Sequence, residues 1–250
     1  MSLLGNRVPA SLKIFLIALA VIDDLGAILV IALFYTKTLL LHNLLISLGI
    51  FGVLIVLNRL KVHNLIPYLI GGFFMWYFML NSGIHSTISG VLLAFAVPFG
   101  KGDERSPSFI LQHWIHKPVA FLILPLFALA NTAIVIEPDW YKNLSTTTSL
   151  GIFAGLIIGK PFGIWISSFI AVKFGISILP EGVKWKHLFG AGLIGGIGFT
   201  MSIFITLLAF EDTTLINQAK IAVMLASLVA GLIGFIWLKS TLPATITDEE

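Results

Sequence analysis

Residues 12–35 read LKIFLIALAVIDDLGAILVIALFY, an apolar run interrupted at its centre by two adjacent aspartates. As a helix such a run extends about 36 Å, enough to cross the ~30 Å hydrocarbon core of a bilayer. An ionised carboxylate at mid-depth costs ~2.5 kcal/mol or more, so acids retained there mark a pathway or a pairing. This run therefore sets the class of protein and names the first candidate residues, Asp23 and Asp24.

The composition agrees. Of 250 residues 58% are hydrophobic and 11% charged, and the mean hydropathy is +1.02, whereas a soluble domain needs a polar surface that this chain lacks. The net charge of +3 comes from short basic loops, which orient a membrane protein and are no signal for nucleic acid. No cysteine is present, which excludes disulfides, a thiolate nucleophile and Cys-ligated metals. The opening MSLLGNRVPAS has no small-x-small cleavage site and reads as an uncleaved lead into the first span.

Hydropathy and punctuation predict eight membrane helices, near 12–35, 39–58, 65–80, 84–97, 118–136, 150–173, 187–210 and 214–238. The fourth is short, and Asn81, Ser82 and Gly83 before it read as a tight hairpin. The longest loop is expected over 98–117. The expected architecture is an all-α integral membrane protein, one polytopic domain over residues 1–240 with a cytoplasmic tail over 241–250. With the N-terminus inside, Arg7, Lys13, Arg59, Lys61, Lys101, Arg105, Lys117, Lys173, Lys184, Lys186 and Lys239 fall on the cytoplasmic side, against Lys37, Lys142 and Lys220 outside. That asymmetry predicts both termini in the cytoplasm and leaves Lys160 within the membrane.

Intramembrane ionisable groups are functional candidates by default, which gives Asp23, Asp24 and Lys160. Neighbours on a helix project about 100° apart, so one aspartate can line a cavity while the other meets a protein neighbour. Lys160 lies in GLIIGKPFGIW, where Pro161 lacks an N–H and crowds the Ile157 carbonyl. The helix should bend or open there and free carbonyls for cations or water. A purely structural salt bridge accounts for one aspartate and leaves the second unexplained. The seventh predicted helix, HLFGAGLIGGIGFTMSIFITLLAF, crowds five glycines into its first half. Two readings stand: close helix packing, or a discontinuous helix unwound around Gly196 to Thr200. Thr200 and Ser202 either add oxygens or bond back to their own helix.

Histidines titrate near neutrality. His113 and His116, in QHWIHK, share a face if their loop is helical, and His85 follows the Asn-Ser-Gly turn; each is either a pH-sensing group or an interfacial hydrogen-bonding one. His42, His63 and His187 read as loop residues. No histidine pair with carboxylate support falls at mid-depth, which argues against a transition-metal site, and no GxxxxGK[ST] loop suggests a nucleotide.

The segments VPASLKIFLIALAVIDDLGAILVIALFYT, NSGIHSTISGV, ILPLFALANTAI, LIIGKPFGIW and GIGFTMSIFI follow one another along the chain. In that order they resemble the NhaA-type sodium/proton antiporters, from about residue 4 to residue 238. That family is itself a standard example of inverted-repeat transporter architecture, so this part of the fold expectation is implied by the resemblance. The family has twelve spans and the chain resembles the last eight; the first four, with a partner broken helix and a further aspartate, have no counterpart in it. The resemblance implies Asp24 as the main cation and proton carrier and Asp23 as an essential neighbour able to pair with Lys160. Gly196, Gly198 and Thr200 would belong to a broken helix beside the ion site. His113 and His116 match its cytoplasmic pH-sensing region, where Gln112 stands in place of an acidic residue, and His85 is a third candidate of that kind.

The implied activity is exchange of cytoplasmic Na+ or Li+ for external protons, with Asp24 and Asp23 as sodium ligands and no cofactor. Proton and cation would compete for the same oxygens, and Lys160 would hold one carboxylate while the site is empty. The implied setting is the bacterial inner membrane, with the lipid bilayer and a homodimer or an N-terminal partner chain as partners. The main alternative is an antiporter remnant that inserts but is inactive alone. A retinal-type Schiff base on Lys160 is disfavoured by Pro161 and the glycine-rich seventh helix. An aspartyl protease is disfavoured because its two acids should come from separate elements.

Overall fold

The structure is a computed structural model that describes residues 2–35, 39–100, 102–134, 136, 138 and 140–243. Among the described residues every regular element is helical. In chain order the α-helices are α1 (Ala10–Phe34), α2 (Leu41–Arg59), α3 (Ile66–Asn81), α4 (Thr87–Ala96), α5 (Pro107–Pro118), α6 (Leu124–Thr132), α7 (Thr147–Phe153), α8 (Lys160–Lys173), α9 (Trp185–Gly195), α10 (Phe199–Ala209) and α11 (Thr213–Thr241). A π-helical stretch, Val119–Ile123, joins α5 to α6, and another, Ala154–Gly159, joins α7 to α8.

Among the described residues five helical stretches are long and apolar enough to cross a membrane: Ala10–Ala32, Leu41–Arg59, Pro107–Thr132, Thr147–Lys173 and Thr213–Thr241. The pair α9 and α10, bent by 50°, makes a sixth, while α3 and α4 are shorter apolar helices. Each of the eight expected segments coincides with one of these helices, with shifted bounds, but α3 with 16 residues and α4 with 10 fall short of the length of a full span. The largest shift is at the fifth, where the expected loop over 98–117 ends early because Pro107 opens a helix, a position that needs no N–H. Large apolar side chains stand exposed along the spans, Phe121 at 81% and Leu129 at 69%, as lipid contact requires.

Two compact units divide the chain, residues 1–25 with 131–250 and residues 26–130. In the second unit, α2, α3 and α4 enclose Leu54, Tyr68, Ala96 and Val97. Polar groups there satisfy one another, as a dry interior demands. Ser47 Oγ donates to the Met75 carbonyl at 3.0 Å and Asn58 Nδ2 to the Ala96 carbonyl at 2.8 Å. The expected hairpin forms at Ser82, whose hydroxyl donates to the Met79 carbonyl at 2.7 Å and accepts from Ile84 N–H at 3.2 Å. Gly83 follows at φ +88°, a backbone state that favours glycine.

In the first unit, α9 packs between α8 and α11 with glycine at each close approach. A Cβ on Gly190 would stand 2.7 Å from Trp237 Cδ1, one on Gly192 3.1 Å from Pro161 Cα, and one on Gly234 2.9 Å from Ile194 N. The glycine run thus serves tight packing. Buried Ala219, Ala222, Ala226 and Ala230 line α11. His187, expected as a loop residue, instead lies in the first turn of α9 at 3% exposure. Its Nδ1 accepts from Lys184 N–H at 3.2 Å, which leaves Nε2 to donate to the Thr241 carbonyl at 3.1 Å.

Candidate ion-binding site

Lys160 is the first residue of α8, and its Nζ lies 2.6 Å from Asp23 Oδ2 on α1. The side chains are 22% and 47% exposed, so the pair is neither sealed in a dry core nor fully solvated. Among the described residues Lys160 pairs with Asp23, not with Asp24. Asp24 is exposed and projects about 100° further round the same helix. The arrangement leaves one carboxylate neutralised by an ammonium and the adjacent one open to a mobile cation or a proton.

Gly195, the last residue of α9, ties the broken helix to this pair. A Cβ there would stand 3.4 Å from Ile164 Cδ1 and 3.5 Å from Leu19 Cδ2. Leu19 precedes Asp23 and Ile164 follows Lys160 by four residues each, about 6 Å along each helix. Along α9, Gly192 meets Pro161 and Gly196 meets the Leu156 carbonyl, so the last turn of α9 passes the level of Lys160.

The break itself occupies Gly196, Ile197 and Gly198. It is a wound bend, not the unwound stretch to Thr200 that the sequence suggested. Gly196 N–H is shared between the Gly192 and Leu193 carbonyls at 3.0 Å each, and Ile197 N–H reaches the Ile194 carbonyl at 3.0 Å, which keeps the chain coiled. Thr200 already belongs to α10, because the Ser227 hydroxyl accepts Phe199 N–H at 3.1 Å and lets the new helix start one residue earlier. Ser227 is not among the residues that the sequence singles out; its signal is a lone hydroxyl in the buried, Ala- and Gly-lined face of α11. Thr206 Oγ1 donates to the Ser202 carbonyl at 2.8 Å, the back-bonded state common in membrane helices. Lys220, assigned to the outer side, is 7% exposed, with Nζ 3.4 Å from the Ala133 carbonyl.

The histidine candidates belong to the other unit. His113 and His116 lie three residues apart on α5, exposed, and His113 stacks on Phe109 with ring centroids 6.2 Å apart. The conditional expectation of a shared helical face is therefore met. The His85 carbonyl accepts Ile88 N–H at 3.2 Å in the turn before α4. Among the described residues no group of three or more His, Asp or Glu side chains could hold a metal ion.

An ion pair within apolar spans, beside a bent helix, is what the sequence motifs implied. The family model described as Na+/H+ antiporter 1 matches residues 1–238. The chain belongs to that family. It is 65% identical over its whole length to a protein named Na(+)/H(+) antiporter NhaA from Flavobacterium psychrophilum, covering 65% of that protein. It is 58% identical to the protein of the same name from Cytophaga hutchinsonii, covering 64% of it. With the Vibrio campbellii protein, also named Na(+)/H(+) antiporter NhaA, it shares 46% identity and covers 64%. The chain thus spans just under two thirds of the length of these antiporter-family relatives, and it is a multi-pass membrane protein.

Proposed function

We propose that this chain handles the ions in a secondary transporter that exchanges cytoplasmic Na+ or Li+ for external protons. The bacterial inner membrane is the assigned location, with both termini cytoplasmic, and the exchange serves pH and sodium homeostasis. The observation that carries this reading is the Asp23–Lys160 pair at 2.6 Å with Asp24 unpaired beside it among the described residues. A hard cation suits carboxylate and backbone oxygens, and either it or a proton neutralises Asp24. If the empty, charged site is too costly to move across the barrier and either occupied form moves, exchange is obligatory and needs no covalent chemistry. The protein is on this reading not an enzyme. Each net charge moved is worth about 2.3 kcal/mol per 100 mV of membrane potential, which drives the cycle without nucleotide.

The names of the relatives support sodium and protons as substrates. Because those proteins are longer, the complete cycle is assigned to this chain together with the remaining helices of the longer fold, in one polypeptide, a partner chain or a homodimer. His113, His116 and His85 are assigned to pH regulation, with His113→Ala expected to move the pH profile. The test is sodium-induced proton movement in vesicles, read with a ΔpH-sensitive dye. The wild type should respond to sodium more strongly as pH rises, and Asp24→Asn should abolish the response. Flux that persists in Asp24→Asn would overturn the assignment.

A further inference from the structure

The π-helical stretch before Lys160 follows from the proline after it. In an α-helix the Pro161 ring would press on the Ile157 carbonyl. Instead Lys160 N–H reaches back five residues to the Gly155 carbonyl, which widens the turn. The same solution recurs in the other unit, where Leu124 N–H reaches the Val119 carbonyl immediately before Pro125. The widened turn has a consequence for one oxygen. The Leu156 carbonyl would take its amide from Lys160 in an α-turn, but that N–H is given to Gly155. In a π-turn it would take its amide from residue 161, which is proline. The Leu156 carbonyl therefore has no amide donor from its own helix.

That oxygen is aimed at the helix break. A Cβ on Gly196 would fall inside contact distance of the Leu156 oxygen, so only glycine admits this approach. Helix carbonyls point toward the C-terminus, so the Leu156 oxygen points along the chain toward Lys160. Leu156 also lines a cleft of about 420 Å³ together with Gly155, Ser202, Thr206 and Phe210. A Cα–H contact from Gly196 accounts for the closeness but is a weak partner that leaves a second lone pair free.

Resting on the antiport reading, we propose that the Leu156 carbonyl is a backbone ligand for the transported cation. Pro161 is the positioning residue that frees it, and Gly196 leaves it uncovered. The carbonyl lies in the π-helical stretch four residues before Lys160, the partner of Asp23, and would add a neutral oxygen to those of the α1 carboxylates. A cation binds this oxygen and a proton does not, so its loss weakens cation binding without moving the proton competition.

Pro161→Ala tests this. If the wide turn persists, the new amide at 161 bonds Leu156; if the turn relaxes, Lys160 N–H does. Either way the oxygen is occupied. Sodium binding to the purified full chain is measured by calorimetry across pH. Pro161→Ala should bind sodium about tenfold more weakly at the alkaline limit, the loss expected of one charge-assisted contact, with the midpoint of proton competition unchanged. Pro125→Ala removes the equivalent bulge in the other unit and should bind as the wild type does. Replacing Ile157 by its α-hydroxy analogue turns the Leu156 carbonyl into a weaker ester oxygen and should also weaken binding, which decides the matter if Pro161→Ala fails to insert. Unchanged affinity in the Leu156-directed variants, or equal loss in Pro125→Ala, overturns the inference. Absence of sodium binding to the wild type overturns the antiport reading itself, and the inference with it.

Discussion

Gly195 and Gly196 are neighbours in sequence, yet the structure assigns them opposite tolerance to a methyl group. A Cβ on Gly195 would meet only the tips of two flexible side chains, at 3.4 Å from Ile164 Cδ1 and 3.5 Å from Leu19 Cδ2. Both are ordinary contacts, and removing a helical glycine gains up to about 1 kcal/mol of propensity. A Cβ on Gly196 would overlap the Leu156 carbonyl and stand 3.0 Å from the Leu193 carbonyl and 3.2 Å from Ala230 Cβ. Two of those three are backbone atoms, so relief requires one helix to shift against another. Overpacking of this kind costs about 1–3 kcal/mol, and backbone obstruction places Gly196→Ala near the top of that range. At about 2–4 °C per kcal/mol for a chain of this size, Gly196→Ala should lower the melting temperature by roughly 6–12 °C, while Gly195→Ala should leave it unchanged or raise it by up to about 4 °C. Thermal unfolding in one detergent, followed by tryptophan fluorescence on both variants and the wild type, reads the difference. Equal destabilisation by the two substitutions would refute the placement of the break between Leu156 and Ala230.

The Asp23–Lys160 pair should show coupling of about 1–2 kcal/mol in a double-mutant cycle of Asp23→Ala and Lys160→Ala, between the exposed and buried limits because its side chains are 47% and 22% exposed; additivity within about 0.5 kcal/mol would show that the pair is not formed. Ser227→Ala strands Phe199 N–H, bonded at 3.1 Å in the wild type, and should cost about 1–2 kcal/mol in the same unfolding assay, with Ser227→Thr recovering part of it. In the other unit, Ser47→Ala removes the bond at 3.0 Å to the Met75 carbonyl and should cost only about 0.6 kcal/mol, the scale measured for such bonds within membranes, with sodium binding unaffected.

The spans and the three intramembrane charges were legible in the sequence because a charge within a long apolar run has few explanations. The pairing of Lys160 with Asp23 and not Asp24 was not legible from residues alone, since adjacent aspartates differ only in azimuth and the partner's azimuth depends on the turn before it. That turn is π-helical, and a sequence shows a proline but not whether the helix kinks, ends or widens to accommodate it. The glycine-rich seventh helix offered close packing and a break as alternatives, and both are present: Gly190, Gly192 and Gly234 admit neighbouring helices, while Gly196 to Gly198 carry the bend. The end of the break falls before Thr200 because Ser227, whose hydroxyl accepts Phe199 N–H, lies 28 positions further on. His187 was missed for a similar reason, since its second partner, the Thr241 carbonyl, is 54 residues away.

Proton release on sodium binding tests the central claim most directly: that a proton and a small cation neutralise the same acidic site by turns. Sodium added to the weakly buffered protein in detergent should release protons, read with a pH indicator dye, and its apparent affinity should weaken as pH falls, with both effects lost in Asp24→Asn. Sodium binding that releases no protons and has the same affinity at every pH would contradict the account.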